Sequence, residues 1–170
     1  MIKLFRQLLL LLLFILIAGT AFAQVQSKPA AVAEKKPLTR ILFVFDGSQS
    51  MYGRWQSDIK INIARNILIK VLDSLKTMPD LEVALRIYGH QHSYPPQVCN
   101  DTKLEVPFGK DNYEKIKNKL SSITPKGTTP IAYSLEQAIH DFTPCINCRN
   151  VVVLITDGIE ECDGDPCLAS

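Results

Sequence analysis

The sequence has no run of basic residues, no evident internal repeat, and no His placed beside a Ser or Cys in a recognisable catalytic arrangement. Each absence narrows the function. Lys and Arg number 19 against 17 Asp and Glu, but two of those cations, Lys3 and Arg6, stand at the extreme amino terminus. The remainder is formally neutral, which gives no electrostatic case for binding nucleic acid or an anionic membrane surface. With three His and no nucleophile set next to a base, turnover is not expected, nor is a small-molecule substrate.

The first residues form a unit of their own. After Lys3 and Arg6 comes an unbroken apolar run from Leu8 to Ile17, and Ala21-Phe22-Ala23 offers small residues where a signal peptidase reads. The apolar stretch is short for a layer of about 30 Å, so residues 1–23 read as a secretory signal peptide. A retained anchor is the alternative, and the only membrane attachment expected. The residue directly after Ala23 is Gln24 and not a cysteine, which argues against a lipoprotein. The chain is thus expected to be exported, to the periplasm or outside the cell. Residues 24–39 (QVQSKPAAVAEKKPLT) are rich in Ala, Lys and Pro, with no apolar period, and read as a flexible linker before a domain at 40–170.

From Arg40 the pattern alternates. Ile41–Phe45 is a continuous apolar strand. Ser57–Lys76 places Ile61, Ala64, Leu68, Val71, Leu72 and Leu75 at helical spacing, with Ser57 as the expected cap. Leu81–Tyr88 and Lys103–Phe108 read as strands, and Asp111 with Glu114 resembles a capping box opening a helix that runs to Leu120. Pro130 suits a first helical position, with Ile131, Leu135, Ile139 and Phe142 along one face; Val151–Thr156 is a further apolar strand. Alternating elements with strands apolar on both faces predict an α/β fold: a Rossmann-like, open, mostly parallel sheet flanked by helices. In such sheets ligands sit beyond the carboxyl ends of the strands. Asp46 and Asp157 both fall there.

Three segments converge on that rim: Asp46-Gly47-Ser48-Gln49-Ser50, Gly127-Thr128-Thr129-Pro130 and Thr156-Asp157-Gly158. They share small, hard oxygen donors and lack nitrogen or sulfur ligands. That set suits Mg²⁺, with Mn²⁺ or Ca²⁺ as substitutes, and disfavours zinc. Alternate spacing lets Ser48 and Ser50 point the same way. With two carboxylates and several hydroxyls, an ion keeps residual positive charge with which to accept an anionic oxygen from a partner. A strand-ending turn explains the first segment alone. An aspartyl phosphotransferase also begins with an apolar strand and Asp, but needs a second carboxylate where Ser48 stands.

Asp46-x-Ser48-x-Ser50, the later Gly-x-Thr-Pro and the strand ending Thr-Asp-Gly resemble the metal-ion-dependent adhesion site (MIDAS) of the von Willebrand factor type A (vWA) domain family. The resemblance implies Ser48 and Ser50 as direct metal ligands, Thr129 rather than Thr128 as the threonine, and Asp46 and Asp157 as carboxylates acting directly or through water. It also implies a protein partner offering an acidic side chain. Tyr88-Gly89-His90 and the stretch from Gly158 to Cys167 further resemble bacterial exported members described as similar to calcium-activated chloride channel proteins, a likeness of domain that implies no channel. The family continues beyond its Thr-Asp-Gly loop with further elements, so the domain is expected to be truncated after the fourth strand.

Five cysteines, Cys99, Cys145, Cys148, Cys162 and Cys167, read as disulfide material in an exported chain. Cys145-x-x-Cys148 has no second pair to complete a zinc site and sits at the end away from the metal loops, so a local bridge is expected. Cys99, Cys162 and Cys167 share the metal rim; Cys99 paired with either, or Cys162 paired with Cys167, are all open. His90 and His92 are expected to shape an exposed rim loop, with Gly89–Asp101 selecting the partner. The function read from the sequence is a divalent-metal-dependent, non-catalytic binding module. The alternatives are a module whose ion only braces its loops, or a non-catalytic subunit of a larger enzyme or transport assembly.

Overall fold

The computed structural model describes residues 36–169. The expected signal peptide and most of the expected linker lie outside that range. Leu38 and Thr39, which composition groups with the expected linker, already pair in the sheet.

Four strands form one sheet in the order β5 (Thr102–Gly109), β4 (Leu81–Tyr88), β1 (Leu38–Asp46), β6 (Cys148–Ile155). Strand β1 runs parallel to β4 on one side and to β6 on the other. Strand β5 is antiparallel to β4 with two register shifts, so the sheet is mixed, with three parallel strands. Because β1 is flanked on one side by the next strand of the parallel set and on the other by the last, a crevice opens at its carboxyl end.

The period of two along β1 decides which helices it meets. Phe43 and Phe45, with Val83, Leu85 and Ile87 of β4, pack on α1 (Lys60–Leu75) through Ile61, Leu68 and Leu72, and on α2 (Tyr113–Ser122) through Tyr113, Ile116 and Leu120. Leu42, Val44, Ala84 and Tyr88 face the other way, onto Ile131 and Ala138 of α3 (Ile131–His140). Burying one such side chain stabilises by about 1.5–3 kcal/mol, so the two-sided apolar pattern of β1 and β4 accounts for most of the sheet's anchoring.

Several local expectations shift. Helix α1 starts at Lys60, not Ser57, because Arg54–Trp55 (β2) and Asp58–Ile59 (β3) form a small antiparallel hairpin. Asp58 turns its carboxylate to the Ile59 N–H and the Asn62 amide. Helix α2 lacks the expected box: Asn112 is its N-cap and gives its amide to Val83 O and Pro107 O. On α3, Ile139 is 61% exposed while Ser134 and Ala138 are buried, a rotation of the expected face. Among the described residues β6 is a sheet edge, and Val152 and Leu154 are exposed although the strand is apolar throughout.

Candidate metal centre

All three oxygen-rich segments meet at the carboxyl end of the parallel strands. Asp46 ends β1 and is fully buried. Its Oδ1 accepts the Ser48 N–H at 2.8 Å, which turns the chain sharply, and its Oδ2 accepts the Thr156 hydroxyl at 2.9 Å. The turn runs into a 3₁₀ segment (Gln49–Tyr52) whose buried Met51 pins it to the core. Ser48 and Ser50 do point the same way: their hydroxyl oxygens are 2.9 Å apart. Ser48 is buried and Ser50 exposed, so one hydroxyl forms the floor of the site and the other its mouth.

The second segment is zipped onto the first. Gln49 N–H donates to Gly127 O at 2.8 Å, and Lys126 N–H to Gly47 O at 3.1 Å. This close approach needs Gly89, at φ 64°, where a Cβ would fall 2.3 Å from Thr128 O. Thr128 is occupied elsewhere, its hydroxyl accepting from Val98 N–H and donating to Val98 O. Thr129 is buried and faces the third segment: a Cβ built on Gly158 would lie 3.8 Å from Ser50 Oγ and 4.0 Å from Thr129 Oγ1. Asp157 completes the group, its Oδ1 accepting the Ser50 hydroxyl at 2.8 Å. Asp46, Ser48, Ser50, Thr129 and Asp157 therefore share one small region.

Four further residues act here without having been singled out as parts of the site. Lys60, the first residue of α1, holds Asp157 Oδ2 at 2.5 Å. Glu161 accepts the Thr129 N–H at 3.0 Å, and Glu160 accepts the Ala132 N–H at 2.7 Å, so the loop after β6 caps α3 with its own carboxylates. Tyr88 is fully buried, and its hydroxyl lies beside Asp46 and Thr156 without closing a full hydrogen bond among the described residues. Burial pushes the Asp46 carboxyl above its ordinary range against the hydrogen bonds it accepts from Ser48 and other neighbours. Burial likewise raises Tyr88 well above the usual phenol, with the Asp46 charge adding to it.

Hard hydroxyl and carboxylate oxygens are what Mg²⁺ takes, and the unpartnered Tyr88 hydroxyl at the base of the site leaves a donor for an ion-bound water. The residues present fit the group. Among the described residues there is no cluster of three or more His, Cys, Asp and Glu able to hold a metal, as expected where hydroxyls supply most donors.

The rim carries a disulfide between Cys99 and Cys162, which selects one of the pairings the sequence leaves open; Cys145 and Cys148 form the local bridge, and Cys167 is exposed. His90 departs from expectation. Its side chain is 8% exposed and its Nε2 sits 2.9 Å from Glu105, so it is packed inside the rim while His92 stays exposed.

Comparison with known proteins agrees with this geometry. A family model described as the von Willebrand factor type A domain matches residues 41–160. The chain belongs to the von Willebrand factor type A domain family. Two proteins of Bacillus subtilis strain 168 are similar to it in sequence. The uncharacterized protein YwmD is 34% identical over 145 residues, 82% of this chain and 64% of YwmD, so the chain spans about two thirds of that relative's length. The uncharacterized protein YwmC is 31% identical over 163 residues, 90% of this chain and 71% of YwmC. Among solved structures, the PilB minor pilin from Streptococcus sanguinis superposes with a TM-score of 0.61 at 18% identity, covering 74% of this chain and 31% of that one.

Proposed function

We propose that this vWA domain is a divalent-metal-dependent, non-catalytic binding module that takes a partner protein's carboxylate through Mg²⁺. Ser48, Ser50 and Thr129 would hold the ion through their hydroxyls, with Asp46 and Asp157 acting directly or through water. The ion, once bound, supplies a Lewis-acidic charge that accepts an anionic oxygen. The observation that carries the reading is the Ser50–Asp157 contact: it brings ligands 107 positions apart in the chain to hydrogen-bond distance at an exposed mouth.

That same contact favours binding over bracing. The loops are already joined by Ser50 to Asp157, Thr156 to Asp46 and Gln49 to Gly127, so no ion is needed to hold them. A polar groove of about 530 Å³ runs from Ser50 past Gly127 and Thr128 to Tyr94, Gln97 and Glu161, giving a partner a surface that includes the rim loop. The likeness to a minor pilin supports a protein partner, and export accords with two disulfides.

Titration of the chain with Mn²⁺, followed by calorimetry or paramagnetic relaxation, tests the site. The Ser48→Ala, Ser50→Ala double variant should lose ion binding at least tenfold, with its thermal midpoint little changed. Chelation should abolish capture of acidic peptides while leaving the circular dichroism spectrum intact. Unfolding on chelation would favour the bracing ion, and wild-type affinity in the double variant would refute the site.

A further inference from the structure

Lys60 reaches the candidate metal centre from outside the three loops. It opens α1, its N–H donates to Gly53 O at 2.9 Å, and its side chain lies back along the chain that leaves Ser50. A Cβ built on Gly53 would fall 3.3 Å from Lys60 Cε and 3.5 Å from its Nζ. The ammonium ends 2.5 Å from Asp157 Oδ2, its one ion pair among the described residues. The helix dipole disfavours a cation in a first turn, so Asp157 and not α1 accounts for the charge at this position. Lys60 also borders a cavity of about 410 Å³ whose walls include the apolar Met51, Trp55, Ile63 and Ile155. A charge beside such walls is less screened than one in open water.

Both oxygens of Asp157 are therefore engaged within the chain. Oδ1 accepts the Ser50 hydroxyl at 2.8 Å, and Oδ2 takes the ammonium. Asp46 differs, because its two oxygens accept from neutral donors, the Ser48 N–H and the Thr156 hydroxyl. Of the two carboxylates among the five residues assigned to the ion, one is matched by a cation of the protein itself and the other is not. We propose that Lys60 is a resident counter-charge of the metal centre, one that weakens its hold on a divalent ion and strengthens its hold on a partner's carboxylate. The inference rests on the metal-dependent reading given above. By offsetting Asp157, Lys60 leaves more of a bound ion's charge for an incoming anionic oxygen. In the ion-free chain the same ammonium fixes Asp157 at the mouth of the site.

An ion pair that only pins α1 to the loop after β6 predicts something else: removing the ammonium would then lower stability and leave ion affinity unchanged or weaker. A counter-charge moves the two affinities in opposite directions.

The test is a Mn²⁺ titration of the full chain followed by water-proton relaxation, with wild type beside Lys60→Met, Lys60→Gln and Lys60→Arg. Thermal midpoints in EDTA check that each variant folds. Lys60→Met and Lys60→Gln should bind Mn²⁺ about tenfold more tightly than wild type, because a positive charge next to the ion's carboxylate is gone. Acetate is then added to the Mn²⁺-saturated chains, and the broadening of its methyl resonance is followed. The two neutral variants should take acetate about tenfold more weakly, whereas Lys60→Arg, which keeps the charge, should follow wild type in both titrations. Mn²⁺ affinity unchanged or weakened in the neutral variants, while wild type binds the ion, overturns the proposal and leaves the metal reading standing. Tighter Mn²⁺ without weaker acetate overturns it as well. Mn²⁺ bound by none of the chains overturns both.

Discussion

At the scale of single residues, the buried groups that lack or share partners are the most informative. Tyr88 carries a hydroxyl into the core beside Asp46 and Thr156 without closing a full hydrogen bond to either. Tyr88→Phe is therefore expected to stabilise the metal-free chain by about 1 kcal/mol, read as a higher urea midpoint in EDTA, and to weaken the stabilisation that added Mg²⁺ confers. Arg86 and Asp141 show the opposite condition. Their two parallel bonds, Nε to Oδ2 and Nη2 to Oδ1, are both 2.7 Å, and both side chains are buried. Removing one partner strands the other, so Asp141→Ala should cost about 3–5 kcal/mol in equilibrium unfolding, whereas Arg86→Met with Asp141→Leu should cost much less. Residue types were legible where the chemistry is local: Asp46, Ser48 and Ser50 sit within five positions and announce a shared geometry. Lys60 was not, because its partner Asp157 lies 97 positions away and a helix-opening lysine looks like any solvated one.

At the scale of elements, continuous apolar runs exposed β1 and β6 directly, although only β1 proves to be covered on both faces. The direction of β5 was not readable: antiparallel pairing with β4 depends on the route of the connecting loop. The Arg54–Ile59 hairpin was missed because each of its strands is two residues long, too short to show a period. Strand β5 and helix α2 are also joined electrostatically through Glu105. Burial pushes its carboxyl up, but hydrogen bonds from Lys119, His90 and Lys103 outweigh this and bring it down to about 2. A carboxylate depressed in the fold stabilises above its unfolded value of about 4.5 and loses that contribution as the pH falls toward 2. His90, depressed for burial, has the same sign in a higher window, destabilising as the pH drops below 6.5. Glu105→Gln should lower stability most above about pH 4.5, with the gap from wild type closing as the pH falls to roughly 2, so that the lower part of the acid unfolding curve flattens.

At the scale of the whole molecule, the vWA fold brings to one end what the chain scatters over more than a hundred positions, and one covalent link spans that end. Cys99 and Cys162 are 63 positions apart, and their bridge joins the Gly89–Asp101 loop to the acidic loop beyond Asp157. In a chain-entropy estimate, a closure of that length contributes roughly 4 kcal/mol. Cys99→Ser with Cys162→Ser is expected to lower the unfolding free energy by that order, and to raise hydrogen exchange in the two joined loops more than in β1 or β4. The link was only partly legible, since placement on a common rim leaves three pairings open and the choice depends on distances that no spacing encodes. A further consequence follows from the course of β1. It enters the sheet at Leu38 and leaves it at Asp46, and at about 3.3 Å per residue this separates the two ends by about 26 Å. The chain therefore enters the sheet at the pole opposite the oxygen cluster, with the full length of the central strand between them.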